Sequence, residues 1–221
     1  MLGYKSAKKV IELGRGAFFD YSEADLPRGR SDQLQIDDHT PQFGFVGSRY
    51  TDTRILLLGI NPGNGRRNDR RTPGDSRMMP AIIAFAREPT EANFEKASKA
   101  YKAECQQWRT WRQHCAEVMG AGKLSFEEIA YSNCLPWRTG SESNFNKKTA
   151  EKAAVLYVLP LLMELNPTVL IAMGKKSQTI ISTVDFPIPS MVTWNRARAA
   201  TDNVKRQRSE SAAEILKLIR R

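Results

Sequence analysis

The sequence predicts an α/β fold, a three-layer α/β/α arrangement around a central, mostly parallel, four-stranded sheet. Three observations carry this expectation. Short unbroken apolar runs recur along the chain, RILLLGI at 54–60, EIAYSN at 128–133 and TVLIAM at 168–173, as strands covered on both faces should read. Segments of helical periodicity separate them, and strands alternating with helices mean βαβ units. A chain of 221 residues suffices for one well-buried domain and is short for two, so residues 1–221 are expected to form one unit.

The elements follow in order. Residues 6–13 read as a short amphipathic helix capped by Ser6 and stopped at Gly14. From Ala17 to Tyr50 there is little periodicity and much turn chemistry, so residues 1–50 are expected to be an arm packed on the core. The first strand, 54–60, runs into a turn with three glycines and a proline before Arg66. Residues 79–86 form a helix. Residues 91–119 show one long helical period, with Phe94, Ala97, Tyr101, Cys105, Trp108, Trp111, Cys115 and Val118 on a core-facing stripe. The second strand is 128–133. Residues 147–165 form a helix that Pro160 bends. The third strand, 168–173, ends at Gly174 with a helix 175–182 behind it. A shorter fourth strand, 189–194, and a closing helix, 209–219, complete the chain.

Composition narrows the function classes. Lys and Arg number 34 against 24 acids, a net charge of +10, which favours a polyanionic partner because each cation that neutralises a phosphate releases counterions. Simple solubility would serve the same charge. No apolar run approaches the roughly 20 residues of a membrane span, and the first residues lack the apolar core of a signal peptide. Three cysteines without a CxxC pair, and two histidines, speak against structural zinc or an iron–sulfur cluster and for a reducing cytoplasm. The expectation is a cytoplasmic monomer that takes DNA as its partner, needs no metal or other cofactor and has no membrane association.

The turn after the first strand, GINPGNG at 59–65, sits where open α/β sheets place ligands. It lacks the Gly-Lys-Ser/Thr of a phosphate loop and fails the last glycine of a dinucleotide fingerprint. An ordinary turn whose glycines serve the backbone remains open at this point. Its one side chain with chemistry is Asn61. The loop that follows, 64–77, holds five arginines among Gly, Asn, Asp and Pro; it is either solvated or in contact with phosphates.

Four strand ends, GINPG, YSNCLPWR, AMGKK and VTWNRAR, then align on one sheet edge. In these motifs the chain resembles the uracil-DNA glycosylase superfamily, most closely its mismatch-specific and single-strand-selective branches, over about three-quarters of its length from Arg54. The resemblance implies that Asn61 orients the attacking water. It implies that the backbones of Ile60 and Asn64 approach a flipped base, and that Asn133 reads the pyrimidine edge, where an amide offers donor and acceptor together. A plain turn-forming Asn at 133 is the alternative. Lys175 and Lys176 match a helix start near a DNA phosphate. At the fourth motif the family's histidine is missing, and Asn195 matches the asparagine of the mismatch-specific branch as the second catalytic residue. The family's Pro-Ser and its apolar wedge are missing too. Arg196 and Arg198 would act as plug or phosphate clamp, or merely form a basic turn after an edge strand. Arg66, Arg67, Arg70 and Arg71 would contact phosphates. Met78 and Met79 stand near the position of the family's stacking aromatic, which this chain lacks.

The function implied is a monofunctional DNA glycosylase that flips uracil or another altered pyrimidine out of the stack and hydrolyses its N-glycosidic bond. An asparagine can position water but is a weak base, so catalysis would be slow and dominated by positioning. Asp69 and Asp75 are the nearby carboxylates that could supply a base. Two alternatives stay open: a glycosylase for a bulky hypermodified pyrimidine in phage DNA, such as a glycosylated cytosine, acting in antiviral defence; and a catalytically inactive DNA-binding member of the fold. A nucleotide-dependent enzyme with a degenerate phosphate loop fits least, for want of the lysine.

Overall fold

A computed structural model describes residues 1–19, 40–62, 75–108, 111–137, 147–187, 190–197 and 201–220. The organising strand, β2 (Ile55–Gly59), is buried along its whole length. Ile55 and Leu57 face one core, Leu56 and Leu58 the other. Neither face meets water, which is why the sequence shows an apolar run rather than alternation. Each of these side chains contributes about 1.5–3 kcal/mol by leaving water.

Around β2 lie β3 (Ile129–Asn133), β4 (Val169–Met173) and β5 (Met191–Trp194), all parallel. The sheet has five strands, not the four expected. The fifth, β1 (Phe45–Val46), pairs antiparallel with β3 through Phe45↔Tyr131 and Val46↔Ala130, giving the order β1-β3-β2-β4-β5. Two residues are too few to show a period, and a very short edge strand leaves little backbone open to foreign pairing.

Helices cover both faces, compatible with the three-layer plan. On the first face lie α3 (Asp75–Arg87), α4 (Glu91–Cys105), α5 (Ala116–Gly122) and α9 (Asp202–Ile219), contributing Phe85, Phe94, Tyr101, Val118 and Ile215. On the second lie α6 (Lys147–Ala153), α7 (Leu159–Leu165) and α8 (Lys175–Ile181), contributing Ala153, Leu161, Leu162, Ile180 and Ile181. Helix α2 (Tyr50–Thr53) is one turn leading into β2. Among the described residues no helix is long and apolar enough to cross a membrane.

Several boundaries differ from expectation for identifiable reasons. Helix α1 (Tyr4–Leu13) begins before Ser6, and Gly3 precedes it without a side-chain cap. Glu164 of α7 does the capping: its carboxylate accepts from the Ser6 N–H at 2.8 Å, the Ser6 hydroxyl at 2.7 Å and the Lys5 N–H at 3.1 Å. The long helix expected at 91–119 is broken. Gln107 and Trp108 N–H groups bond to Glu104 and Cys105 carbonyls three residues back, which tightens and ends α4, and a π-turn (Trp111–Cys115) precedes α5. The core-facing stripe nonetheless stays inside. In 147–165 a π-turn (Ala154–Val158) lies just ahead of Pro160. Proline has no N–H to give and its ring crowds the carbonyl four residues back, so the wider turn takes up the misfit. Helix α9 starts at the Thr201 cap, whose hydroxyl oxygen accepts from the Val204 N–H at 3.4 Å, well before the expected Ser209.

Candidate functional site

The order of the parallel strands, β3-β2-β4-β5, reverses at β2: the chain steps from β2 out to β3, then crosses back to β4 on the other side. After β2 the chain feeds helices on the first face, whereas α8 behind β4 lies on the second. Chains leaving neighbouring strand ends toward opposite faces open a crevice between them, which is where open α/β sheets bind ligands. A cavity of about 690 Å³ opens at this place. Ile60 borders it from the end of β2, and Met173, Gly174 and Lys175 from the end of β4. Thr193, Asn195 and Arg196 border it from β5, and Gln207, Glu210 and Ser211 from α9. Its charged lining is Lys175, Lys176 and Arg196 against Glu210, an excess of positive charge suited to an anionic ligand.

The structure brings five of the sequence-derived residues, Ile60, Lys175, Lys176, Asn195 and Arg196, to this one cavity. Asn64, Arg66, Arg67, Arg70, Arg71 and Arg198 lie outside the described residues. Met78 and Met79 are buried in the first-face core. Asn195 is held in a turn: its Oδ1 accepts from the Ala197 N–H at 2.7 Å, and its Nδ2 donates to Gln207 Oε1 at 2.5 Å. Arg208 fixes the same turn by donating to the carbonyls of Asn195 and Ala197, each at 3.0 Å. One proton of the Asn195 amide is left for a ligand.

Asn61 and Asn133 occupy neighbouring strand ends but do not border the cavity. Gly59 and Asn133 are in register, and the pairing continues past the strands as the Cys134 and Leu135 N–H groups donate to the Gly59 and Ile60 carbonyls at 2.8 and 2.9 Å. Asn61 follows at once and is half-buried. Asn133 is only 1% exposed. Its Oδ1 lies 2.5 Å from where a Cβ on Gly59 would stand and accepts from the Tyr131 hydroxyl at 3.5 Å, a long bond. Its Nδ2 is buried without a hydrogen-bond partner. A buried amide N–H left unpaired costs about 1–3 kcal/mol, so a polar group kept in this condition calls for an explanation such as a ligand.

Arg196 extends from the end of β5 across Gly174, its Cδ 3.6 Å from the position of a Gly174 Cβ. Its Nε is buried and unpartnered. Its charge reaches two buried groups beneath the strand ends. Burial pushes the Cys115 thiol up to about 12, and Arg196 opposes this. Burial likewise raises Tyr131 well above the usual phenol range, again against the pull of Arg196. Cys105 and Cys134 are also raised by burial, so all three cysteines are protonated and unreactive at neutral pH.

Sequence reasoning missed Gln42, Tyr131 and the α9 residues of the cavity. Gln42 is 1% exposed; its backbone N–H donates to Pro136 O at 2.8 Å and its Nε2 to Met79 Sδ at 3.8 Å, while its Oε1 is buried without a partner. It precedes β1 in a stretch with no periodic signal. Tyr131 reads as core in any strand, and only register reveals that its hydroxyl meets Asn133. Neither a scan against protein-family models nor a search of curated proteins finds a match to this chain.

Proposed function

We propose that this protein is a monofunctional DNA glycosylase that hydrolyses the N-glycosidic bond of uracil or another altered pyrimidine. The observation that carries the reading is the pair of amides on the adjoining ends of β2 and β3, Asn61 and Asn133, next to a cationic cavity at the sheet's switch point. In this reading Asn133 supplies its unpaired N–H to the edge of the everted base, and Asn61 positions the water that attacks the sugar carbon. Lys175 and Lys176, exposed at the cavity rim, take the flanking phosphates. Asn133 is closed from solvent, so an everted base reaches it only as the edge above it opens. The proposed reaction calls on no cofactor.

The test is cleavage. Oligonucleotides bearing uracil opposite guanine, or uracil in a single strand, are incubated with the protein, and alkali-labile abasic sites are the expected product. Asn61→Ala is expected to lower the single-turnover rate about 100-fold while DNA affinity holds. An unchanged rate removes the role given to Asn61, and binding without cleavage of any substrate favours an inactive DNA-binding protein. One observation favours the bulkier substrate: about 690 Å³ with an amide- and hydroxyl-rich lining exceeds what a bare pyrimidine fills. DNA carrying glucosylated hydroxymethylcytosine therefore belongs in the same assay, and faster excision there than of uracil selects that substrate and a role against foreign DNA.

A further inference from the structure

Two buried polar atoms near the paired ends of β1 and β3 have complementary needs. Asn133 Nδ2 is a donor without an acceptor, and Gln42 Oε1 is an acceptor without a donor. Each residue is 1% exposed, so bulk water reaches neither. Both side chains lie on the first face. Asn133 follows Tyr131 by two positions along β3, and Tyr131 belongs to the first-face core. Gln42 Nε2 reaches Met79 Sδ of the same core at 3.8 Å, which turns the amide so that Oε1 points away from α3. The two backbones are held at one end of one strand pair. Gly44, at φ 81°, lets the segment before β1 lie against β3, since a side chain there would collide with the Tyr131 carbonyl. Beyond that glycine the Gln42 N–H donates to Pro136 O at 2.8 Å, just past Asn133 in the chain. A free amide donor and a free amide acceptor pair when they meet; these two are unpaired, so a gap beyond hydrogen-bond reach separates them. Leaving both unmet is costly, and a ligand that carries an acceptor beside an N–H removes both costs at once.

We propose that Gln42 is a base-reading residue, resting on the glycosylase reading above, and that with Asn133 it selects pyrimidines that present an acceptor next to an N–H. The Asn133 N–H donates to the acceptor, and Gln42 Oε1 accepts from the N–H. The O4 and N3–H of uracil offer this pair, and so do the N3 and amino group of a cytosine derivative. An amide at 42 matters because the oxygen is already desolvated and held by Met79 and Pro136 before the base arrives. A base without the N–H leaves that oxygen unmet, and such a loss is how a site built around a hydrogen bond rejects what lacks it. Gln42 comes from the lead-in to the edge strand β1, not from a strand-end turn, so it adds a contact that the four turns do not contain.

The experiment compares wild type, Gln42→Met, Asn133→Leu and the double variant in single-turnover cleavage of DNA carrying uracil or glucosylated hydroxymethylcytosine, with DNA affinity and melting temperature measured alongside. Methionine keeps the length of the side chain and removes its oxygen. Gln42→Met is expected to slow cleavage of the substrate that wild type cuts by about 10- to 100-fold, because the base N–H is then buried without a partner. DNA affinity should stay within a few-fold, since phosphate contacts carry it. The melting temperature should rise by about 2–4 °C, as an unpaired buried oxygen is gone. The double variant should lose less than the product of the single losses, since both residues hold one base edge. A loss on uracil identifies N3–H as the group read, and a loss on the glucosylated cytosine identifies its amino group; either supports the assignment. A lowered melting temperature or failure to fold makes Gln42 a structural residue and overturns it. Undiminished cleavage by Gln42→Met, or single losses that simply multiply, also overturns it while the glycosylase reading stands. Wild-type protein that cleaves neither substrate fails the glycosylase reading itself, and this assignment falls with it.

Discussion

Adding one methyl group at Gly59 tests the junction of β2 and β3 directly. A Cβ there would stand 2.5 Å from Asn133 Oδ1 and 3.1 Å from the Tyr131 hydroxyl. Ordinary contact begins near 3.4 Å, so the Asn133 oxygen must retreat by about 0.9 Å, the difference between 3.4 and 2.5. Asn133 is 1% exposed and on a strand paired on both sides, so the retreat has to be shared by buried neighbours. Overpacking of this kind costs about 1–3 kcal/mol. Gly59→Ala is therefore expected to lower unfolding stability by that amount in a urea titration. In the proposed reaction an amide misplaced by nearly 1 Å is expected to cost about 100-fold in single-turnover cleavage, beyond what instability explains. Control substitutions at glycines with open space, Gly16 or Gly120 to Ala, should do neither. Gly59→Ala with wild-type stability would refute the packing argument. Lost stability with undiminished cleavage would refute the placement of Asn133 at the base.

Three further expectations follow from other parts of the molecule. Glu164→Ala removes three hydrogen bonds from the first turn of α1 and should destabilise the protein by about 0.5–2 kcal/mol, read by denaturant titration, with α1 losing hydrogen-exchange protection first. Glu127 accepts from Lys102 Nζ at 2.6 Å and from the Ser48 hydroxyl at 2.7 Å, which lowers its carboxyl from 4.5 to about 2. Its folded value lies below the unfolded one, so its stabilisation is complete above about pH 4.5 and lost as pH falls toward 2; Glu127→Gln should flatten the stability–pH curve within that window and leave its slope above pH 6 alone. If the proposed DNA complex forms, Lys175→Ala weakens it across sequences and reduces the slope of log affinity against log salt by about one, measured by fluorescence anisotropy from low to moderate salt.

The sequence by itself determined the α/β class, the three long buried strands and the helical stretches between them, though not where those stretches break, because hydrophobic burial writes a local pattern: Ile55–Gly59 and Val169–Met173 are apolar at every position for the simple reason that both faces are covered. It also pointed to the strand-end turns, since Gly and Pro announce chain reversal wherever they cluster. Tertiary structure decided what depends on residues far apart in the chain. The two-residue strand β1 exists only because β3 offers it an edge, and Glu164 caps a helix more than 150 positions away. Arg196 over Gly174 and Gln207 of α9 against Asn195 at the crevice, and Asn133 over Gly59 at the neighbouring strand ends, meet because parallel strands stop at one edge. Which polar atoms are left without partners there is a property of that meeting, and no single stretch of chain contains it.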